Sequence, residues 1–167
     1  LGHKLAEQSG ADNALLEERL FAEFDGRRIS GASDIAQWVY TMDDGGGITD
    51  YKFISVFSLM SRDRLPQWEA QQNIYAWLFR KLDFPIAWLK ICAIPRDWRP
   101  GEAKQRSDYP KRAEMIPLRL WSVEEQEHYI RTRLGALVLA ENLPDAELPE
   151  CTPAETWEKP TVFAVMK

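Results

Sequence analysis

Period-two alternation along Ile48-Thr49-Asp50-Tyr51-Lys52-Phe53-Ile54-Ser55-Val56-Phe57 predicts a β-strand. It sends Ile48, Asp50, Lys52, Ile54 and Val56 to one face, and Thr49, Tyr51, Phe53, Ser55 and Phe57 to the other. Both sets are mostly apolar, the pattern of a central strand covered on both sides. In such a strand an acid and a lysine two residues apart are costly to bury unless paired or bound to a cation. That cost marks Asp50 and Lys52 as candidates for chemistry.

The patterns on either side build a fold around this strand. Residues 1–9 read as the end of a helix closed by Gly10, and Ser9 to Asn13 as a loop. Glu18–Phe24 alternates as a strand, Asp25-Gly26 is a hairpin turn, and Arg28 to about Tyr40 is a second strand. Met42–Gly47 then turns into the central strand, completing a meander. A polar loop is expected over 58–65. Pro66 opens a largely buried helix to about Lys81, where its missing N–H does no harm. Pro85 breaks the chain, and Ile86–Ile94 is a fourth strand. A polar, loop-like insertion over about 95–114 precedes a fifth strand, Ile116–Trp121. Ser122-Val123-Glu124-Glu125 is a capping box opening a helix to about Glu141. Residues 144–159 read as irregular and 161–166 as a last strand. The order αβββαββα predicts an α/β fold: a central mixed β-sheet flanked by helices.

Composition changes this picture little. The 167 residues, 45% hydrophobic and 28% charged, suit a single domain with a substantial core. Leu1 in place of methionine, and a chain that stops at Lys167 just after the strand-like run 161–166, suggest truncation at one or both ends. A formal net charge of -5 gives no overall attraction to nucleic acid, but leaves room for a local basic groove. Cys92 and Cys151 are too few and too far apart for a disulfide framework or a four-cysteine metal site, so a reducing, cytoplasmic setting is expected. No window is apolar and long enough for a membrane span, and no signal-peptide pattern is present.

Candidate chemistry gathers in order along the chain. Asp/Glu-x-Lys alone is weak: roughly one match is expected by chance at ordinary residue frequencies. Glu102-Ala103-Lys104 is a second match, in a polar loop where a solvated charge cluster is the better reading. The strand before the centre carries Gly31-Ala32-Ser33-Asp34, and two carboxylates on neighbouring strands can hold a hard divalent cation. Gln71 and Tyr75, four apart, share one helix face, although Gln105 and Tyr109 repeat the spacing in the insertion. His3 stands near the start; His128 sits mid-helix in a polar run and is expected to face solvent. The insertion mixes Arg96, Arg99, Lys104, Arg106, Lys111 and Arg112 with Trp98 and Tyr109, which could grip DNA. It also holds Asp97, Glu102, Asp108 and Glu114, which read equally as a solvated loop.

Taken together, His3, Gly31-Ala32-Ser33-Asp34, Asp50-Tyr51-Lys52 and Gln71 to Tyr75 resemble the motif series of the PD-(D/E)XK nuclease superfamily, specifically its RecB-like exonuclease branch. The series there is a helical histidine, Gly-x-x-Asp, (Asp/Glu)-x-Lys and Gln-x-x-x-Tyr. The resemblance covers most of the chain, and the tail Cys151-Thr152-Pro153-Ala154-Glu155-Thr156-Trp157 looks like the segment after the core in phage members. It implies a restriction-endonuclease-like core of αβββαβ type. It also implies a metal-dependent DNA nuclease, an exonuclease serving DNA processing, recombination or repair in a bacterial or phage-infected cell. By the same resemblance Asp34, Asp50 and the backbone carbonyl of Tyr51 ligate Mg²⁺ or Mn²⁺, and His3 adds an imidazole. Lys52 positions or deprotonates the attacking water, and Gln71 and Tyr75 hold the DNA backbone or end nucleotide. Glu18 is a further acid, beyond the direct ligands or at a second metal. The branch's iron–sulfur cluster needs four cysteines, so none is expected here. The implied partners are DNA and a recombination or helicase protein. The competing readings are a structure-specific endonuclease, or a non-catalytic DNA- or protein-binding module of the same fold.

The shared metal site carries a geometric condition. A plain six-residue loop over Met42–Gly47 would pair Asp34 with Ser55 and put Asp34 and Asp50 on opposite faces. One site therefore requires an odd loop length or a bulge, which the three glycines Gly45-Gly46-Gly47 permit.

Overall fold

The computed structural model describes residues 14–38, 45–151 and 156. Over these the order is β1 (Ala14–Leu16), β2 (Arg19–Phe24), β3 (Arg27–Ala32), β4 (Ile35–Gln37), β5 (Gly46–Ile54), α1 (Val56–Ser61), α2 (Leu65–Lys81), β6 (Ile86–Pro95), α3 (Pro100–Gln105), β7 (Glu114–Leu118) and α4 (Val123–Glu141), then a 3₁₀ turn at Asp145–Glu147. The expected helix over 1–9 and strand over 161–166 lie outside the described residues. The chain forms two compact units, 1–131 and 132–167; the first holds the sheets and the second the end of α4 and the 3₁₀ turn. The fold is α/β, with a mixed five-stranded sheet in the order β1-β4-β5-β6-β7. Its β5–β6 pair is parallel and the other pairs antiparallel. β5 is the central strand, and α2 supplies the crossover that parallel neighbours need.

The expected meander is replaced by two pieces. β2 and β3 form a separate two-stranded sheet, closed by Asp25 and Gly26 with φ of 47° and 73°. Two positive-φ residues make the I′ turn that matches strand twist. The run expected as one strand from Arg28 to Tyr40 breaks at Ser33-Asp34, and its continuation, β4, pairs with β5 instead. Ser33 and Asp34 leave the ladder because each end of the segment docks on a different partner.

One face of the sheet carries the core. Ile54, Ile91, Ala93 and Ile116 pack against Leu59 of α1 and Trp68 of α2. The residues expected as a polar loop over 58–65 thus include a helix. Ser55 caps it, accepting from Ser58 N at 3.1 Å, while Asp97 Oδ1 accepts from Val56 N at 2.7 Å. The expected cover on both faces of β5 holds only for its first half: Tyr51 is 40% and Phe53 63% exposed. α2 also packs on the hairpin, where Trp77 meets Phe24 edge-on, while Trp38, Phe79 and Phe84 cluster beside it.

The insertion is folded rather than loop-like. β6 runs on to Pro95, α3 forms within it, and β7 starts at Glu114, two residues before the expected Ile116. Trp98 Nε1 donates to Pro110 O at 2.9 Å and Arg99 N to Tyr109 OH at 3.0 Å, pinning the segment across its width. α4 starts at the expected capping box: Ser122 N donates to Glu125 Oε2 at 2.8 Å, and Glu125 N to Ser122 Oγ at 3.2 Å.

Candidate active site

β5 carries Asp50 and Lys52 into the core-side face. It pairs with β4 through Ile35↔Thr49, Ala36↔Ile48 and Gln37↔Gly47. Asp34 lies at a bend just beyond the last pair of this ladder, and counting the register on by one step would set it across from Asp50, the parity a shared site requires. It comes from an odd number of residues, 38–46, between the paired ends. The expected irregularity at the glycines exists on the other side of the strand: between Gly46 and Gly47 the β5–β6 register slips past Ala87. A Cβ on Gly47 would run into the Trp88 ring, and one on Gly46 into that of Trp38. These positions accept only glycine because indoles lie over them.

Asp34 sits at a bend just before β4, and its Oδ2 accepts from Tyr51 N at 2.7 Å. The carboxylate thus takes the acceptor role that a ladder carbonyl would have played. Asp50 is 4% exposed. Burial pushes its carboxyl above the usual range; Lys52 opposes that shift, Asp34's nearby charge adds to it, and Gln72 opposes it. Lys52 Nζ lies 2.6 Å from Asp50 Oδ2. This short contact is a charge-assisted pair between the two side chains.

Lys52 Nζ also donates to Gln71 Oε1 at 3.1 Å, and Gln71 Nε2 donates to Tyr75 OH at 2.8 Å. The direction follows from chemistry: an ammonium only donates, so Oε1 must face it and the amide N–H must face the phenol. The Tyr75 oxygen therefore accepts, leaving its proton for another acceptor. Gly31 belongs to this arrangement, because a Cβ there would lie 2.7 Å from the Tyr75 ring. The glycine of Gly-x-x-Asp is the seat of the tyrosine of Gln-x-x-x-Tyr.

Asp34, Asp50, Tyr51, Lys52, Gln71 and Tyr75 thus come together, while His3 lies outside the described residues. Glu18 is half-buried between β1 and β2; the acid beside Asp34 is Glu17, whose N donates to Asp34 O at 3.0 Å. Glu102 and Lys104 lie on the short α3, and His128 is exposed on α4. Among the described residues no three His, Cys, Asp or Glu side chains form a metal-holding group. The carboxylates of Asp34 and the buried Asp50, with the Tyr51 backbone carbonyl, are nonetheless an oxygen set that suits a hard divalent cation.

Two cavities adjoin the strand. One of about 760 Å³ on the outer face is lined by Leu16, Glu17, Asp34, Ile35, Tyr51 and Phe53. The other, about 630 Å³, lies at the carboxyl end of β5 and includes Phe57, Met60, Asp97, Arg99, Arg106 and Tyr109. Sequence reasoning missed Gln72, which is fully buried beside Asp50. The available signal was its place four residues after Trp68, on a buried helix stripe.

No protein-family model and no curated protein matches the chain. A solved structure described as the crystal structure of SSO0001 aligns over 86% of this chain with 18% identity and a TM-score of 0.47. This chain spans 58% of the length of that one. No helix among the described residues is long and apolar enough to cross a membrane.

Proposed function

We propose that the chain is a metal-dependent DNA nuclease of the PD-(D/E)XK type, acting as an exonuclease in DNA processing, recombination or repair within the cytoplasm of a bacterial or phage-infected cell. The observation that most supports this reading is the connected series Asp50–Lys52–Gln71–Tyr75, with Asp34 anchored on the N–H of Tyr51. Asp34, Asp50 and the Tyr51 carbonyl would hold Mg²⁺ or Mn²⁺, and His3 would favour Mn²⁺, because imidazole suits it better than hard Mg²⁺. When bound, the cation neutralises phosphate charge and lowers the pKa of a coordinated water. Lys52 orients the attacking water and offsets developing negative charge, held in place by Gln71. Tyr75 turns its free proton to a phosphate oxygen. Gln71 has both polar ends engaged, so it positions Lys52 and Tyr75 rather than gripping DNA itself.

The test is loss of linear duplex DNA with Mg²⁺ or Mn²⁺, compared with Lys52→Ala. The expected result is a fall in rate of roughly 10²- to 10⁴-fold with DNA binding retained. DNA bound without turnover in either metal would instead favour the non-catalytic module. Cleavage of closed circular DNA would favour the structure-specific endonuclease.

A further inference from the structure

The stripe Trp68, Gln72, Ala76 and Phe79 on α2 is buried throughout and apolar except at Gln72, whose side chain has no exposure. Among the described residues neither its Nε2 nor its Oε1 has a hydrogen-bond partner of good geometry, while Asp50 Oδ2 has the Lys52 ammonium at 2.6 Å. Leaving a buried polar atom unpaired is destabilising, a cost that a leucine of similar size would avoid. Native interiors pair nearly all such atoms. Two of them on one fully buried side chain beside Asp50 mark a place arranged for a polar ligand rather than for packing. The carboxamide is also close enough to Asp50 to favour its ionised form.

The flanking polar residues already have roles. Gln71 joins Lys52 to Tyr75. Asn73 Nδ2 donates to Arg119 O, and its Oδ1 accepts from Trp121 N. Among the described residues Gln72 alone of the three has no hydrogen-bond partner of good geometry.

We propose that Gln72 is a positioning residue of the Asp50 centre: its Nε2 donates to the Asp50 carboxylate, and its Oε1 accepts from water bound to the divalent cation that Asp50 holds. A carboxamide suits this task because it presents one donor and one acceptor without adding charge. Such partners of metal-bound groups orient the ligand and tune its hold on the ion. The proposal rests on the nuclease reading above, which supplies the cation.

The experiment is calorimetric titration of Mn²⁺ alone into the wild type, Asp50→Asn, Gln72→Leu and Gln72→Glu, with thermal midpoints measured with and without Mn²⁺. Asp50→Asn should abolish binding. Gln72→Leu should keep or raise its metal-free midpoint yet bind Mn²⁺ about 10- to 100-fold more weakly. Gln72→Glu sets a second carboxylate beside Asp50, so its midpoint should fall without Mn²⁺ and rise with Mn²⁺ by more than the wild type's. Wild-type affinity in Gln72→Leu overturns the role of Gln72 while leaving the metal site intact. If Gln72→Leu does not fold, a Mn²⁺-induced rise in Gln72→Glu no larger than the wild type's overturns it. A wild type that binds no Mn²⁺ overturns the nuclease reading and this inference together.

Discussion

Gln71, Gln72 and Asn73 are three adjacent polar residues, and the helical step of about 100° sends them to three different tasks. One orders the lysine, one is sealed against Asp50, and one ties α2 to the Arg119–Trp121 segment and to Gln126. The sequence offers Gln71 through its spacing to Tyr75. It conceals Gln72, because a buried amide looks the same in sequence as an exposed one. Asp50 was legible by its cost, and that cost gives a prediction. Burial raises its folded pKa above the ordinary value of 3.8, so the stabilisation from its neutral form is complete below that value. It is lost as pH rises through the raised folded pKa. Denaturant unfolding of the metal-free protein should therefore show Asp50→Asn gaining stability relative to the wild type as pH rises through that window, while cleavage is lost. An unchanging difference across the window would contradict the assigned burial cost.

Among the elements, local chemistry was readable and docking was not. The Asp25-Gly26 turn and the Ser122–Glu125 box are written in neighbouring residues, and Ser122→Ala should cost about 1 kcal/mol in denaturant unfolding. The break at Ser33-Asp34 was not readable, because it depends on Gly31 meeting Tyr75 and Asp34 meeting Tyr51 N from distant parts of the chain. α1 was hidden because alternation continues through Phe57 and six residues are too few for helical periodicity to declare itself. The Gly31–Tyr75 contact predicts that Gly31→Ala destabilises by about 1–3 kcal/mol and, on the nuclease reading, weakens DNA binding by moving the phenol. In the double variant with Tyr75→Ala the two costs should fall short of additivity, as expected for groups in contact. Strict additivity would show that the glycine serves something other than the ring.

For the molecule as a whole, the mixed sheet was foreseeable from the order of elements, but its strand neighbours were not. The sequence favours neighbours in chain order, whereas β4 lies between β1 and β5 and the hairpin stands apart. Nor could alternation reveal that Tyr51 and Phe53, apolar like core residues, stand well exposed on the sheet's outer face. The β4–β5 register has an arithmetical consequence for this chain's tolerance of change. Removing two residues from the connection between Gln37 and Gly47 keeps the two carboxylates on one side of the sheet; removing one sends them to opposite sides. On the nuclease reading, paired deletions in residues 39–44 should therefore retain most DNA cleavage and single deletions should lower it, and equal activity in the two sets would contradict the assigned parity. Over evolutionary time the connection would drift in length by even steps, with Trp38 and Gly46 held by their contact and the parity held by the two acids it separates.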